Sequence, residues 1–205
     1  MADPTTGHLL TDDEVAKLTE QRNERSARLL HDDRPESSAR GVHHVALFCA
    51  DVERTTAFYQ DLLEFPLTDM FENRDYRGST HFFFDIGNGN ALAFFDFPGL
   101  DLGPYAEVLG GLQHLAISVT AEKWEHLKGK LDAAGIEYAH VSGSSIYFRD
   151  PDGVRLELIK DPLGEMYGKK FMPPALPGSL PLARPSPQSR ATTPSGCGGR
   201  RRRGG

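Results

Sequence analysis

The segment GVHHVALF at residues 41–48 recurs as GLQHLAIS at residues 111–118. The two copies share a glycine at the first position, a histidine at the fourth and an alanine at the sixth. An internal repeat indicates one structural unit used more than once, in which each copy packs against its neighbour. The sequence therefore predicts two modules of the same fold, each opening on a short β-strand that carries a histidine.

The residues after each opening strand follow one further pattern. Apolar positions at helical spacing predict helices over 52–63 and 121–134. Apolar and aromatic runs predict three strands in each copy, at 65–71, 81–86 and 91–97, then at 137–141, 145–149 and 154–159. The turn sequences GNGN and DPDG separate the last two strands of each copy. We expect an α+β fold in which paired β-α-β-β-β modules form a curved, barrel-like mixed sheet around a cavity.

The segments on either side of the repeat have a different composition. Residues 11–30 predict a helix with Thr11 or Asp12 as N-cap, and Pro35 lies in a linker, so residues 1–40 form an N-terminal helix and linker. Residues 171–205 are rich in Pro, Gly, Ser and Arg, and we expect this tail to be disordered. The predicted domain covers residues 41–165, with modules at 41–98 and 111–165.

Charge and cysteine content exclude several classes of protein. Without the six arginines after Lys170, 17 basic residues stand against 29 acidic ones, which argues against a nucleic-acid partner. Two cysteines do not make a disulfide framework. No apolar stretch approaches the roughly 20 residues of a membrane span, and the N-terminus lacks a signal-peptide pattern. We expect a soluble cytoplasmic protein that acts on a small molecule.

Three residues in the repeat have side chains that bind metal ions. His44 and His114 occupy equivalent positions in the two opening strands, so a pseudo-twofold relation directs both imidazoles to one cavity. Glu157 lies in an apolar closing strand, LELI at residues 156–159, where an unpaired carboxylate is costly. We therefore predict that His44, His114 and Glu157 bind one divalent metal ion, with coordination positions left open for substrate or water.

At this point the sequence resembles the vicinal oxygen chelate superfamily, which includes glyoxalase I, methylmalonyl-CoA epimerase, fosfomycin-resistance proteins, bleomycin-binding proteins and extradiol dioxygenases. The resemblance covers residues 41–165. It rests on HVA at residues 44–46, FY at 58–59, LEF at 63–65, GLQHLA at 111–116, and DPDG at 150–153 leading to Glu157.

The three-ligand set and the closing motif are most similar to those of extradiol dioxygenases. The motif of that family corresponds to His140, Ile146, Tyr147, Asp150, Pro151, Gly153 and Glu157. The resemblance implies that Tyr147 and His140 are catalytic groups that donate hydrogen bonds to the substrate. The leading hypothesis is an Fe(II)-dependent extradiol-type dioxygenase that cleaves a small aromatic diol, with Mn, Zn or Ni as other candidate metals.

Two departures from family patterns bear on the reaction. Glyoxalase-type lyases and epimerases have a fourth ligand where this chain has Ala93 or Phe94, with Asp96 nearby, which weakens the isomerase hypothesis. Extradiol enzymes have an acid-base histidine shortly before the second ligand, and His81 is the nearest candidate here.

Two alternative functions and one question of assembly stay open. A lyase, isomerase or thiol-transferase would use the same site with Ni, Zn, Mn or Mg as Lewis acid, and a drug- or metabolite-binding protein would use no metal. We expect a homodimer, since symmetric dimers are the commonest oligomers. The metal site lies either within one chain or across that dimer.

Overall fold

Two β-α-β-β-β modules follow an N-terminal helix in the computed structural model, which describes residues 10–30 and 37–170. Helix α1 spans Asp12–Leu29. The first module comprises β1 (His44–Phe48), α2 (Val52–Thr56) continued by a π-helix (Ala57–Leu62), β2 (Leu67–Glu72), β3 (Thr80–Asp85) and β4 (Ala91–Phe95). The second comprises β5 (Leu115–Ser118), α3 (Ala121–Ala133), β6 (Tyr138–Val141), β7 (Ser145–Arg149) and β8 (Arg155–Ile159). The predicted order of elements is confirmed.

Each module builds its own four-stranded mixed sheet. The strand orders are β1-β4-β3-β2 and β5-β8-β7-β6, and in both sheets the first strand runs parallel to the last while the other pairs are antiparallel. A short hairpin of β9 (Glu165–Met166) and β10 (Lys169–Lys170) follows. The α+β class is confirmed. The strands in the described part of the chain form two separate four-stranded sheets and this hairpin, and no closed barrel.

The helices begin at residues whose side chains cap them. Thr11 and Glu14 form a capping box at α1, Asp51 accepts a hydrogen bond from the Arg54 amide at α2, and Thr120 accepts one from the Lys123 amide at α3. Helix α1 buries none of its side chains. Within residues 10–30 and 37–170, no helix is both long and apolar enough to cross a membrane. The predicted tail at 171–205 and the Pro35 part of the linker lie outside the described residues.

The π-helix departs from the expected α-helical continuation to residue 63. Its wider turn is closed by a hydrogen bond of 3.1 Å from the Leu63 amide to the Phe58 carbonyl. The apolar spacing of this stretch serves both kinds of helix, so the sequence does not distinguish them. The turn places Phe58 and Tyr59 in the core.

The two modules pack against each other through their helix-covered faces. Tyr59 is fully buried beside Phe84 and Phe94, and its hydroxyl donates a hydrogen bond of 3.0 Å to Asp150 of the second module. The Phe58 ring lies against that of Phe148, with centroids 6.3 Å apart. An ion pair of 2.5 Å joins Arg54 to Asp152. We call the helix-covered face of each sheet its inner face.

The opposite face of each sheet, which we call its open face, is not covered by a helix of the described chain. Strand alternation and register give the residues on each open face. That of the first module carries His44, Phe71, His81, Phe83 and Phe95. That of the second carries His114, Tyr147, Arg149, Arg155 and Glu157.

Candidate metal centre

His114 and Glu157 lie side by side on the open face of the second module. His114 immediately precedes β5, Glu157 lies at the centre of β8, and these parallel strands are neighbours. The distance from His114 Nε2 to Glu157 Oε2 is 3.0 Å. The Glu157 side chain is only 6% exposed, against 32% for His114. A carboxylate buried to this extent requires a cationic or hydrogen-bonding partner.

The spacing of these two donor atoms suits a shared metal ion. Two bonds of about 2.1 Å at a right angle separate their donor atoms by about 3.0 Å. The other ring nitrogen, His114 Nδ1, contacts Oε1 of Gln113. An Nδ1–H group that donates to this carboxamide leaves the Nε2 lone pair for a metal and fixes the orientation of the ring. The donor set of this module therefore fits a divalent cation.

Tyr147 adjoins the pair on the neighbouring strand. It is the register partner of Glu157 on β7, and its ring meets the His114 ring edge-on with centroids 5.4 Å apart. Burial, and after it the hydrogen bond to the Glu157 carboxylate, raises the pKa of Tyr147 to about 12. The phenol therefore keeps its proton at neutral pH and serves as a hydrogen-bond donor beside His114 and Glu157.

His44 does not join this pair within one chain. It lies on the open face of the first module, where its ring is 6.0 Å from Phe83 and its Nδ1 is 2.8 Å from Nδ1 of His43. Among residues 10–30 and 37–170, no three His, Cys, Asp or Glu side chains approach closely enough to hold a metal ion. The two modules meet by their inner faces, so the described part of one chain does not bring His44 to His114 and Glu157.

His81 shares the open face of the first module with His44. Its ring stacks on Phe95, with centroids 3.8 Å apart and planes at 19°, and lies 4.3 Å from Phe83. The Nε2 atom is buried and has no hydrogen-bond partner in the described part of the chain. Burial, and secondarily the charge of His44, lowers the pKa of His81. His81 is therefore a neutral imidazole among aromatic rings, and its Nε2 atom makes no hydrogen bond in the described part of the chain.

His140 lies on the inner side of its sheet. Its register partner on β7 is Ile146, whose side chain is fully buried, whereas Tyr147 pairs with Ala139. The His140 ring lies 5.4 Å from Trp124 of α3. The structure therefore places His140 and Tyr147 on opposite sides of one sheet, and His140 does not reach the His114–Glu157 pair.

Several residues of the open face escape sequence analysis. Gln113 takes the place of His43 in the second copy of the repeat, and Arg149 and Arg155 belong to no motif described above. The two arginines, together with His114 and Tyr147, line a cavity of about 530 Å³. Their period-two relation to Tyr147 and Glu157 is the signal that identifies them, since arginines two residues away on a strand share the same face.

Comparison with known proteins places this geometry in a family. The model of the Glyoxalase/Bleomycin resistance protein/Dioxygenase superfamily matches residues 41–158. MhqA of Bacillus subtilis (strain 168), whose name gives it a provisional ring-cleaving dioxygenase assignment, is 26% identical over 136 residues. The match covers 62% of this chain and 42% of MhqA, so the chain spans less than half the length of that relative.

Two further similarities extend along nearly the whole of the matched proteins. The metallothiol transferase FosB of Shouchella clausii (strain KSM-K16) is 28% identical, over 61% of this chain and 83% of FosB. The crystal structure of a glyoxylase/bleomycin resistance protein/dioxygenase domain from Frankia sp. EAN1pec superposes with a TM-score of 0.54 at 22% identity, over 62% of this chain and 96% of that one, which shows a common fold. With the family model matching more than half of its residues, the chain belongs to the Glyoxalase/Bleomycin resistance protein/Dioxygenase superfamily.

Proposed function

We propose that the chain is a divalent-metal-dependent enzyme of this superfamily, and that its leading activity is the Fe(II)-dependent extradiol-type cleavage of a small aromatic diol. The observation that carries the proposal is the 3.0 Å approach of His114 Nε2 to a buried Glu157 carboxylate beside a protonated Tyr147. A divalent ion bound to this set supplies Lewis acidity and open coordination positions for two reactants.

The third ligand, His44, would come from the partner subunit of a homodimer. Two facts support this arrangement. The open face of each module carries part of the ligand set, and the inner faces are occupied by contacts between the modules of one chain. The strands nearest the two histidines, β1 and β5, are both edge strands of their sheets. Two chains that bring unlike open faces together would complete the triad twice.

The residues around the site have distinct roles in this proposal. Glu157 and His114 hold the metal ion, and Gln113 fixes the His114 ring. Tyr147 donates a hydrogen bond to a substrate oxygen as negative charge develops there. Phe71, Phe83 and Phe95 of the partner subunit would form an apolar wall that excludes water and packs against a planar ring.

Two observations favour ring cleavage over an isomerase reaction. The position at which lyases and epimerases carry a fourth ligand is Ala93 or Phe94, and both side chains are fully buried and unable to bind metal. The similarity to MhqA supports the same choice. The second candidate is a thiol-transferase, which the similarity to FosB favours.

The test is anaerobic reconstitution with Fe(II), followed by elemental analysis and by oxygen uptake over a series of catechols. One metal per chain with catechol-dependent oxygen uptake supports the proposal. A hemithioacetal assay and a thiol-addition assay with Mn(II), run in parallel, separate the alternatives. Metal binding without oxygen uptake would favour the second candidate, and absence of stoichiometric metal would leave a binding protein.

A further inference from the structure

We propose that Arg149 and Arg155 form a carboxylate-binding subsite, so that the substrate is an aromatic diol that carries a carboxylate group. The inference rests on the proposed function, because it assigns the far end of a molecule whose two oxygens bind the metal. No motif or family match assigns either arginine.

The position of the two arginines carries the first step. Arg149 ends β7 and Arg155 begins β8, and they are register partners across the antiparallel pair. They lie two residues from Tyr147 and Glu157 on the same strands, a separation of about 7 Å along the open face. Arg149 and Arg155 line the same cavity of about 530 Å³ as His114 and Tyr147. The separation of about 7 Å matches the length of one small ring with one substituent.

The charge balance at this end of the cavity is positive. Both guanidinium groups point at one carboxylate oxygen of Glu107, Arg155 at 2.7 Å and Arg149 at 3.7 Å. Like charges placed directly opposite each other on neighbouring strands are destabilising, and a single carboxylate neutralises only one of the two. The carboxylates of Asp150 and Asp152 interact elsewhere, with Tyr59 and Arg54. One positive charge therefore remains beside the proposed metal centre.

Both side chains are held in place before any ligand arrives. Arg149 donates a hydrogen bond of 2.6 Å to the Gly153 carbonyl and lies 5.8 Å over the Tyr105 ring, whose hydroxyl donates to the Leu112 carbonyl. Glu107 anchors Arg155. The side chains of Arg149 and Arg155 are nevertheless 43% and 26% exposed. Each guanidinium has five N–H donors, and the contacts named above use only some of them.

The geometry of these donors selects the chemical class of the ligand. A guanidinium presents a planar fork that matches a carboxylate through two parallel hydrogen bonds. Two such forks on adjacent strands, with Tyr147 and Glu157 two residues further along, suit a flat molecule with a chelating diol at one end and a carboxylate at the other. A neutral catechol would leave the excess positive charge unpaired.

Direct ligand titration of the Fe(II)-loaded protein under argon tests the inference, with catechol and 3,4-dihydroxybenzoate as the matched pair. We expect the carboxylated diol to bind at least about tenfold more tightly than catechol. In the R149Q/R155Q variant this preference should fall to about twofold or less, while catechol affinity and iron content stay unchanged. The R25Q/R28Q variant, which removes two exposed charges from α1, should keep the full preference.

A second variant guards against misfolding of the first. R149K/R155K keeps both charges but loses the planar forks, and we expect an intermediate preference. A wild-type preference in R149Q/R155Q, or equal binding of both ligands by the wild type, would overturn the subsite while leaving the metal assignment intact. A wild-type preference in R149K/R155K would overturn the recognition by planar forks. Failure of the wild type to load iron would overturn the proposed function and this inference with it. If a phosphonate analogue binds as tightly as the carboxylated diol, the subsite binds anions in general and does not select a carboxylate.

Discussion

The open faces of the two modules have the same backbone and opposite chemistry. In the first module the face is aromatic, with His81 stacked among Phe71, Phe83 and Phe95. In the second it is charged, with His114, Glu157 and two arginines around Tyr147. The repeat therefore preserves topology and one histidine per copy, while the surrounding side chains have diverged. A substrate between unlike faces would meet an apolar wall on its ring and polar groups on its oxygens.

The largest expected effect comes from removing the carboxylate of the charged face. Glu157→Gln keeps the volume of a buried side chain but replaces an anionic ligand by a weaker neutral one. We expect stoichiometric metal binding to disappear in elemental analysis while the circular dichroism spectrum stays native. Glu122→Gln, on the exposed surface of α3, is the control and should bind metal normally. Unchanged metal content in Glu157→Gln would remove this residue from the site.

Mixing two inactive variants tests whether the unlike faces meet across a dimer. His44→Ala and Glu157→Gln each lack one ligand, yet a mixed dimer regains one complete site from His44 of one subunit and the His114–Glu157 pair of the other. With equal amounts and free exchange, metal occupancy should recover to about a quarter of the wild-type value. When the Glu157→Gln variant is replaced by the double variant that carries both substitutions, metal occupancy should not recover. No recovery in the first mixture would exclude the cross-subunit site.

Tyr147→Phe isolates the hydrogen-bond donor of the charged face. The variant removes a protonated phenol beside Glu157 and leaves the side chains of His114 and Glu157 in place. We expect kcat to fall at least about tenfold with metal occupancy nearly unchanged, because the lost interaction is made to substrate charge. The measurement is turnover divided by bound metal. Equal kcat in the variant would exclude Tyr147 from catalysis.

The inner faces should respond in stability rather than in activity. Tyr59→Phe removes the buried hydroxyl that donates to Asp150, and we expect the free energy of unfolding to fall by about 1–3 kcal/mol. Urea denaturation measures the change. Tyr76→Phe, which removes a hydroxyl that donates an exposed hydrogen bond to the Pro98 carbonyl, should change stability by less than about 0.5 kcal/mol. A larger loss of stability in Tyr76→Phe than in Tyr59→Phe would show that the packing of the inner faces does not depend on the Tyr59–Asp150 hydrogen bond.

The smallest expected effect concerns an exposed link between the modules. Glu64 accepts hydrogen bonds from His126, Lys123 and Lys130 of α3, which in that order of influence lower its pKa from 4.5 to about 2. A carboxylate with a lowered folded-state pKa stabilises the protein above about pH 4.5 and loses this contribution as the pH falls towards 2. Thermal melts should therefore show a slightly lower Tm for Glu64→Gln at pH 6, and the two curves should converge near pH 2. Glu125→Gln should match the wild type throughout.

The sequence predicts the fold well because its signals are local. Apolar spacing, caps and turn residues specify each element within a few residues of its own position, and the repeat around His44 and His114 shows that the two modules share one fold. The register that puts Arg149 opposite Arg155 needs the paired strands, so no motif reveals it.

The site is harder to predict because it depends on which faces meet. The repeat is compatible with modules joined by either face, and the contacts between the inner faces, such as that of Tyr59 with Asp150, determine which face is used. His140 illustrates the same limit on a smaller scale. Its spacing from Tyr147 fits the extradiol motif, but seven residues across a hairpin place the two on opposite sides of the sheet.

The π-helix at Ala57–Leu62 makes the number of residues in this segment critical for the packing of the two modules. One residue more per turn is accommodated there, and the ring and hydroxyl of Tyr59 take their direction from it. Deleting a single residue between Asp51 and Tyr59 would rotate that side chain by about 100° about the helix axis and aim it away from Asp150. Substitutions in this segment would weaken the packing between the modules to different degrees, whereas an insertion or deletion would remove the Tyr59–Asp150 contact altogether.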